Sequence, residues 1–112
     1  MDALQTGFNP SYQDENPSID DVLSIEGYVI LEFGANWCGH CKAAIPAAEQ
    51  VLSNAELPHI KVTDGKGKRL GRAFKIKLWP TFVLLNSGKE VARLVRPLHA
   101  DEVRELLELM EA

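Results

Sequence analysis

The chain has 112 residues, 46% of them hydrophobic, which is enough for one compact domain and too few for two. A formal net charge of −4, with 25% charged residues, leaves no basic field that would draw in nucleic acid or an anionic membrane. Met1-Asp2-Ala3-Leu4-Gln5 carries an acid where a secretory peptide would be basic, and no stretch is apolar for long enough to span a bilayer. The cytoplasm is the default location, although a mature periplasmic form restarted from a new methionine would read the same way.

Residues 1–17 are polar, with Asn9-Pro10 and Asn16-Pro17 as breakers and no apolar period, and predict a loosely ordered arm ahead of a domain at 18–112. Ser18, followed by Ile19-Asp20-Asp21-Val22-Leu23 and stopped by Gly27, predicts a short capped helix. The run Tyr28 to Phe33 is apolar without alternation until Glu32, as in a strand covered on both faces, and is the candidate for the sheet centre. From Gly39 to about Ser53 the alanines, Ile45, Val51 and Leu52 follow a helical spacing, with a kink expected at Pro46. His59 to Thr63 predicts a strand, and Lys66 to Phe74 a short helix. Thr81 to Leu85 and Glu90 to Val95, joined by Asn86-Ser87-Gly88, predict an antiparallel hairpin, and His99 to Met110 an amphipathic helix. This order implies an α/β domain with a mixed sheet covered on both faces, its first two strands parallel because a helix joins them.

The two cysteines, Cys38 and Cys41, are too few for a disulfide framework and too close together for a bridge that would constrain much of the unfolded chain. Chemistry explains them better. Cys38 falls after the central strand at the start of a helix, where unpaired N–H groups and the helix dipole favour an anion, and the thiolate is the form that attacks a disulfide. Cys41, one turn further in, is close enough to resolve a mixed disulfide. A zinc site using these thiols with His40, His59 or His99 lacks a second ligand pair at zinc-site spacing, and Lys42 stands where haem attachment would need a histidine. No metal or cofactor is expected.

With Phe33, the stretch Trp37-Cys38-Gly39-His40-Cys41-Lys42, Pro46, Trp79-Pro80-Thr81-Phe82 and Gly88, residues 18–112 resemble the thioredoxin superfamily. The resemblance implies a thioredoxin fold, with a central mixed sheet of four to five strands flanked by helices on both faces. It implies thiol–disulfide exchange with protein or small-molecule disulfides, Cys38 attacking and Cys41 resolving, and electrons from a thiol or a reductase. A monomer working without nucleic acid or membrane is expected. In that superfamily a cis-proline faces the cysteines, here Pro80, and would offer the Trp79 backbone to an extended substrate strand. Trp37 beside the thiol would shape the same docking surface.

The dipeptide Gly39-His40 is that of protein disulfide isomerase domains, where thioredoxins usually have Gly-Pro, and the imidazole would tune the redox poise by favouring the Cys38 thiolate. Glu32, six residues before Cys38, stands where the superfamily has a buried acid that accepts the Cys41 proton, with Lys61 on the next strand as its candidate partner. A solvated strand end is the plain alternative for Glu32. His59 and His99, outside any motif, read as surface or helix-cap residues. Gly34, where thioredoxins usually carry tryptophan, and the bulky Trp79 before the proline depart from the pattern. Two rival functions stay open: a redox-inactive binding module on the same fold, and an oxidase or isomerase rather than a reductase.

Overall fold

In a computed structural model, which describes residues 1–14 and 17–110, the chain runs β1 (Leu4–Thr6), α1 (Ile19–Leu23), β2 (Tyr28–Gly34), α2 (Gly39–Leu52), β3 (Pro58–Thr63), α3 (Arg69–Ala73), β4 (Thr81–Asn86), β5 (Lys89–Val95) and α4 (Ala100–Glu108). Asn16, one of the breaker residues, lies outside the described residues, as do the last two positions of the chain.

The strands form one sheet in the order β1-β3-β2-β4-β5. β2 is central, parallel to β3 and antiparallel to β4, and every residue from Val29 to Gly34 is buried, which is why the run reads as continuously apolar. Side chains alternate across it. Val29, Leu31 and Phe33 join Ile60, Val62, Val83 and Leu85 on the face covered by α1 and α3. Ile30 joins Phe82 and Leu84 on the opposite face, under the alanine-rich side of α2 and Val103 and Leu106 of α4. Glu32 therefore lies on the α2 face, and so do His59 and Lys61, because Ile30 pairs with His59 and Glu32 with Lys61.

The β4–β5 hairpin turns on Ser87 (φ 48°) and Gly88 (φ 84°), the two positive angles that a two-residue turn matched to strand twist requires. Glycine is needed at the second for space as well, since a Cβ there would stand 2.5 Å from the Leu23 carbonyl oxygen. α3 begins later than the composition of Lys66 to Phe74 suggests, because Gly65 (φ 139°) and Gly67 (φ 82°) hold the preceding backbone outside the helical region. Pro46 lies inside α2, which continues through it.

Residues 1–14 of the predicted arm are not loosely ordered. β1 pairs antiparallel with the first half of β3, the Lys61 N–H donating to the Ala3 carbonyl at 2.9 Å. The chain then turns back, and Gln13 bridges Val62 in parallel, donating to the Lys61 carbonyl at 3.1 Å while its own carbonyl accepts the Thr63 N–H at 2.8 Å. Three residues with little apolar content carry no periodic signal, so the strand forms because β3 offers an edge with unpaired backbone groups.

Candidate active site

Cys38 is the N-cap of α2, with extended backbone (φ −79°, ψ 124°), and its Sγ accepts the Cys41 backbone N–H at 3.2 Å. A sulfur thus takes the place that a serine or aspartate oxygen takes in an ordinary cap, facing the positive end of a helix of 14 residues. Both thiols are buried, Cys38 at 7% and Cys41 at 2% exposed, and burial pushes the Cys41 pKa up to about 12, reinforced by its hydrogen bond with the Cys38 sulfur and opposed by the Ala35 backbone and the nearby Tyr12 hydroxyl. Both thiols are free. Gly39 and His40 stand exposed on the first turn of α2.

Beside the thiols, Trp37 is 72% exposed and meets Trp79 edge to face, ring centres 5.5 Å apart. Trp79 is fixed from behind: its indole N–H donates to Asp64 Oδ2 at 3.0 Å, and its carbonyl accepts Arg96 Nε at 2.8 Å. Gly71 makes room for Asp64, since a Cβ there would stand 2.0 Å from the carboxylate. The Trp79-Pro80 peptide is cis, and Trp79 packs against the cluster of Tyr12, Ala35, Cys38 and Cys41. The bulky residue before the proline therefore belongs to the wall around the cysteines.

Glu32 is not at a solvated strand end. It is 2% exposed, and each carboxylate oxygen has its own partners. Oε1 accepts His59 Nε2–H at 2.8 Å, while Oε2 accepts the Tyr12 hydroxyl and lies 3.9 Å from Lys61 Nζ. Lys61, the expected partner, also donates to the Asn9 and Pro10 carbonyls at 3.2 and 3.4 Å and lies over the rings of Tyr12 and Phe8. This satisfies a buried charge that would otherwise be costly.

His59 is neither a surface nor a cap residue. It is fully buried, and its Nδ1 accepts the Asn9 backbone N–H at 3.0 Å. With Nδ1 an acceptor, the ring hydrogen sits on Nε2 and points at Glu32, so the contact is a hydrogen bond of a neutral imidazole rather than an ion pair. Both nitrogens are thereby committed, which removes His59 as a metal ligand beside the cysteines. His99 is the exposed N-cap of α4, whose backbone N–H donates to Glu102 at 3.1 Å.

Tyr12, Asn9 and His59 are the residues that sequence reasoning missed. His59 and Lys61 alternate on one face of a strand buried on both sides, and two polar side chains there demand partners. The signal for Tyr12 was Gly34. A Cβ at Gly34 would stand 2.6 Å from Cys41 Sγ and 2.6 Å from the Tyr12 hydroxyl oxygen, so the absent side chain is the space through which Tyr12 reaches the site.

The thioredoxin family profile matches residues 12–109. A thioredoxin of Chlamydia trachomatis serovar D is 36% identical over 91 residues, covering 79% of this chain and 85% of that protein. A protein disulfide-isomerase of Ricinus communis is 30% identical over 101 residues, 83% of this chain but 20% of that protein, so the chain spans about a fifth of such a relative's length. Among solved structures, reduced thioredoxin 2 from Pseudomonas aeruginosa PAO1 superimposes with a TM-score of 0.79 at 48% identity, covering 90% of this chain and 94% of that one. The five-stranded mixed sheet with helices on both faces is the thioredoxin fold. The chain belongs to the thioredoxin family, a family of thiol–disulfide oxidoreductases, and carries the paired cysteines of that chemistry at Cys38 and Cys41.

Proposed function

We propose that this chain reduces protein disulfides as a monomer in a reducing cytoplasm, taking electrons from a dithiol or a reductase. The Cys38 thiolate attacks a substrate disulfide, one substrate sulfur leaves as a thiolate, and the other stays bound to Cys38. Cys41 then attacks the Cys38 sulfur, forming the Cys38–Cys41 disulfide and releasing the second substrate sulfur as a thiolate. Glu32 accepts the Cys41 proton. Trp37, Trp79 and Pro80 form the docking wall, and Gly39 and His40 tune the poise.

The observation that carries this reading is the asymmetry of the two thiols. Cys38 Sγ sits at a helix N-terminus accepting an N–H, while Cys41 lies inside the first turn with its pKa pushed up to about 12. One sulfur is built to start the exchange and the other to finish it. The test is dithiol-driven reduction of insulin: Cys38→Ser should abolish turnover, and Cys41→Ser should accumulate mixed disulfides. No turnover by the unmodified protein would favour the redox-inactive binding module.

A second reading, oxidase or isomerase, is favoured by the Gly39-His40 dipeptide and by the isomerases among the relatives. Titration in glutathione buffers separates the two, since thioredoxin sits at about −270 mV and protein disulfide isomerase at about −180 mV.

A further inference from the structure

We infer that Tyr12 is a proton relay for the resolving step: its hydroxyl stands between Cys41 Sγ and Glu32 Oε2 and passes the thiol proton to the carboxylate. The inference rests on the reading of Glu32 as the proton acceptor and adds the group that connects it to the sulfur.

The geometry supplies the path. The Tyr12 hydroxyl donates to Glu32 Oε2, and Tyr12 packs in one cluster with Cys41, its hydroxyl oxygen and Cys41 Sγ each 2.6 Å from the point where a Cβ on Gly34 would stand. The other carboxylate oxygen is taken by His59, and Oε2 otherwise faces Lys61 Nζ at 3.9 Å. A hydroxyl both donates and accepts, so it can receive the sulfur's proton as it gives up its own. Tyr12 is held for this position by the loop that leads into the cysteines: its N–H donates to Asn36 Oδ1 and its carbonyl accepts Asn36 Nδ2, both at 2.9 Å. Gly34 leaves the space for the ring to enter.

The chemistry explains why a relay is needed. In the dithiol the Cys41 S–H bonds to the Cys38 sulfur. Once Cys38 is in a mixed disulfide, that sulfur carries no charge and is a poor acceptor, so the proton must go elsewhere as Cys41 attacks. The S–S bond from Cys41 to Cys38 then forms, the bond from Cys38 to the substrate sulfur breaks, and the electron pair leaves on the substrate thiolate. The Cys41 proton moves to Tyr12 as the Tyr12 proton moves to Glu32, which ends as the neutral acid until it releases the proton towards the departing thiolate. Burial and the neighbouring Glu32 hold the phenol well above its ordinary pKa, so the two transfers are concerted and no phenolate forms.

The test uses dithiobis(nitrobenzoate), which releases one coloured thiolate when Cys38 attacks and a second when Cys41 resolves. Tyr12→Phe keeps the ring and removes the hydroxyl. The first release should be unchanged, which also reports an intact fold. The second should slow by about 10²-fold at pH 7, the usual scale of acid–base assistance, with the deficit narrowing as rising hydroxide takes the proton directly. Glu32→Gln should slow the same phase, and the double variant should be no slower than either alone. A slow Glu32→Gln beside an unaffected Tyr12→Phe overturns the relay and leaves Glu32 as the acceptor. If neither variant slows the second release, both assignments fall.

Discussion

The Gly34 backbone and the Tyr12 side chain fit one another: a Cβ on Gly34 would stand 2.6 Å from both Cζ and the hydroxyl oxygen of Tyr12, and equally close to Cys41 Sγ. A side chain at this point of β2 and a hydroxyl beside the resolving cysteine exclude each other. Gly34→Ala should therefore destabilise the protein by about 1–3 kcal/mol, the usual cost of overpacking, as read from urea unfolding. It should also slow release of the second nitrobenzoate thiolate. A neutral effect on both would mean that Tyr12 moves aside freely.

The two thiols should alkylate in a fixed order. Iodoacetamide should modify Cys38 in Cys41→Ser near neutrality, whereas Cys41 in Cys38→Ser should stay slow until well above pH 9, because burial, the largest cause of its high pKa of about 12, survives the substitution. Faster reaction at Cys41 would reverse the assigned roles.

Stability of the reduced protein should fall at alkaline pH through Cys41. Its folded pKa of about 12 lies above the ordinary value of 9.0, so the native state keeps a proton that the unfolded chain loses. That contribution is complete below about pH 9 and disappears as pH rises towards 12, since stability falls wherever the native state binds more protons. Comparing urea midpoints of reduced wild type and Cys41→Ser between pH 8 and about 11 isolates it, because the other titrating groups are common to both. Parallel curves would contradict it.

His59→Ala should cost about 2–5 kcal/mol, since it empties a fully buried site and leaves both the Asn9 N–H and Glu32 Oε1 without their partner. A loss of no more than about 0.5 kcal/mol, the range of ordinary surface substitutions, would place His59 outside the framework of the site.

His40→Pro removes the imidazole proposed to favour the Cys38 thiolate, so the reduction potential should become more negative. A shift of about 30 mV corresponds to about 1.4 kcal/mol for this two-electron couple. An unchanged potential in glutathione titration would show that the Gly39-His40 dipeptide does not set the poise.

The central strand, the cysteine pair at a helix start and the hairpin at Ser87-Gly88 were legible in the sequence because each is local. A continuous apolar run, a cap position followed by a helical period, and a turn that demands positive φ all act over a few residues. The resemblance to thioredoxins also pointed to Glu32, Lys61 and Pro80, but whether Glu32 met solvent or a partner depended on pairing. The period of a strand tells which residues share a face, and only the register against a neighbour tells what stands beside them. Tyr12 meets Glu32 across 20 positions and Asn9 meets His59 across 50, distances over which no local pattern reports. The N-terminal residues looked like an arm because their structure comes from the edge of β3, which exists only once the sheet has formed. Sequence alone thus determined the reactive sulfurs and the elements that present them. The tertiary structure decided the buried network of Tyr12, Glu32, His59 and Lys61 behind them, because that network is made of side chains that become neighbours only through long-range strand pairing.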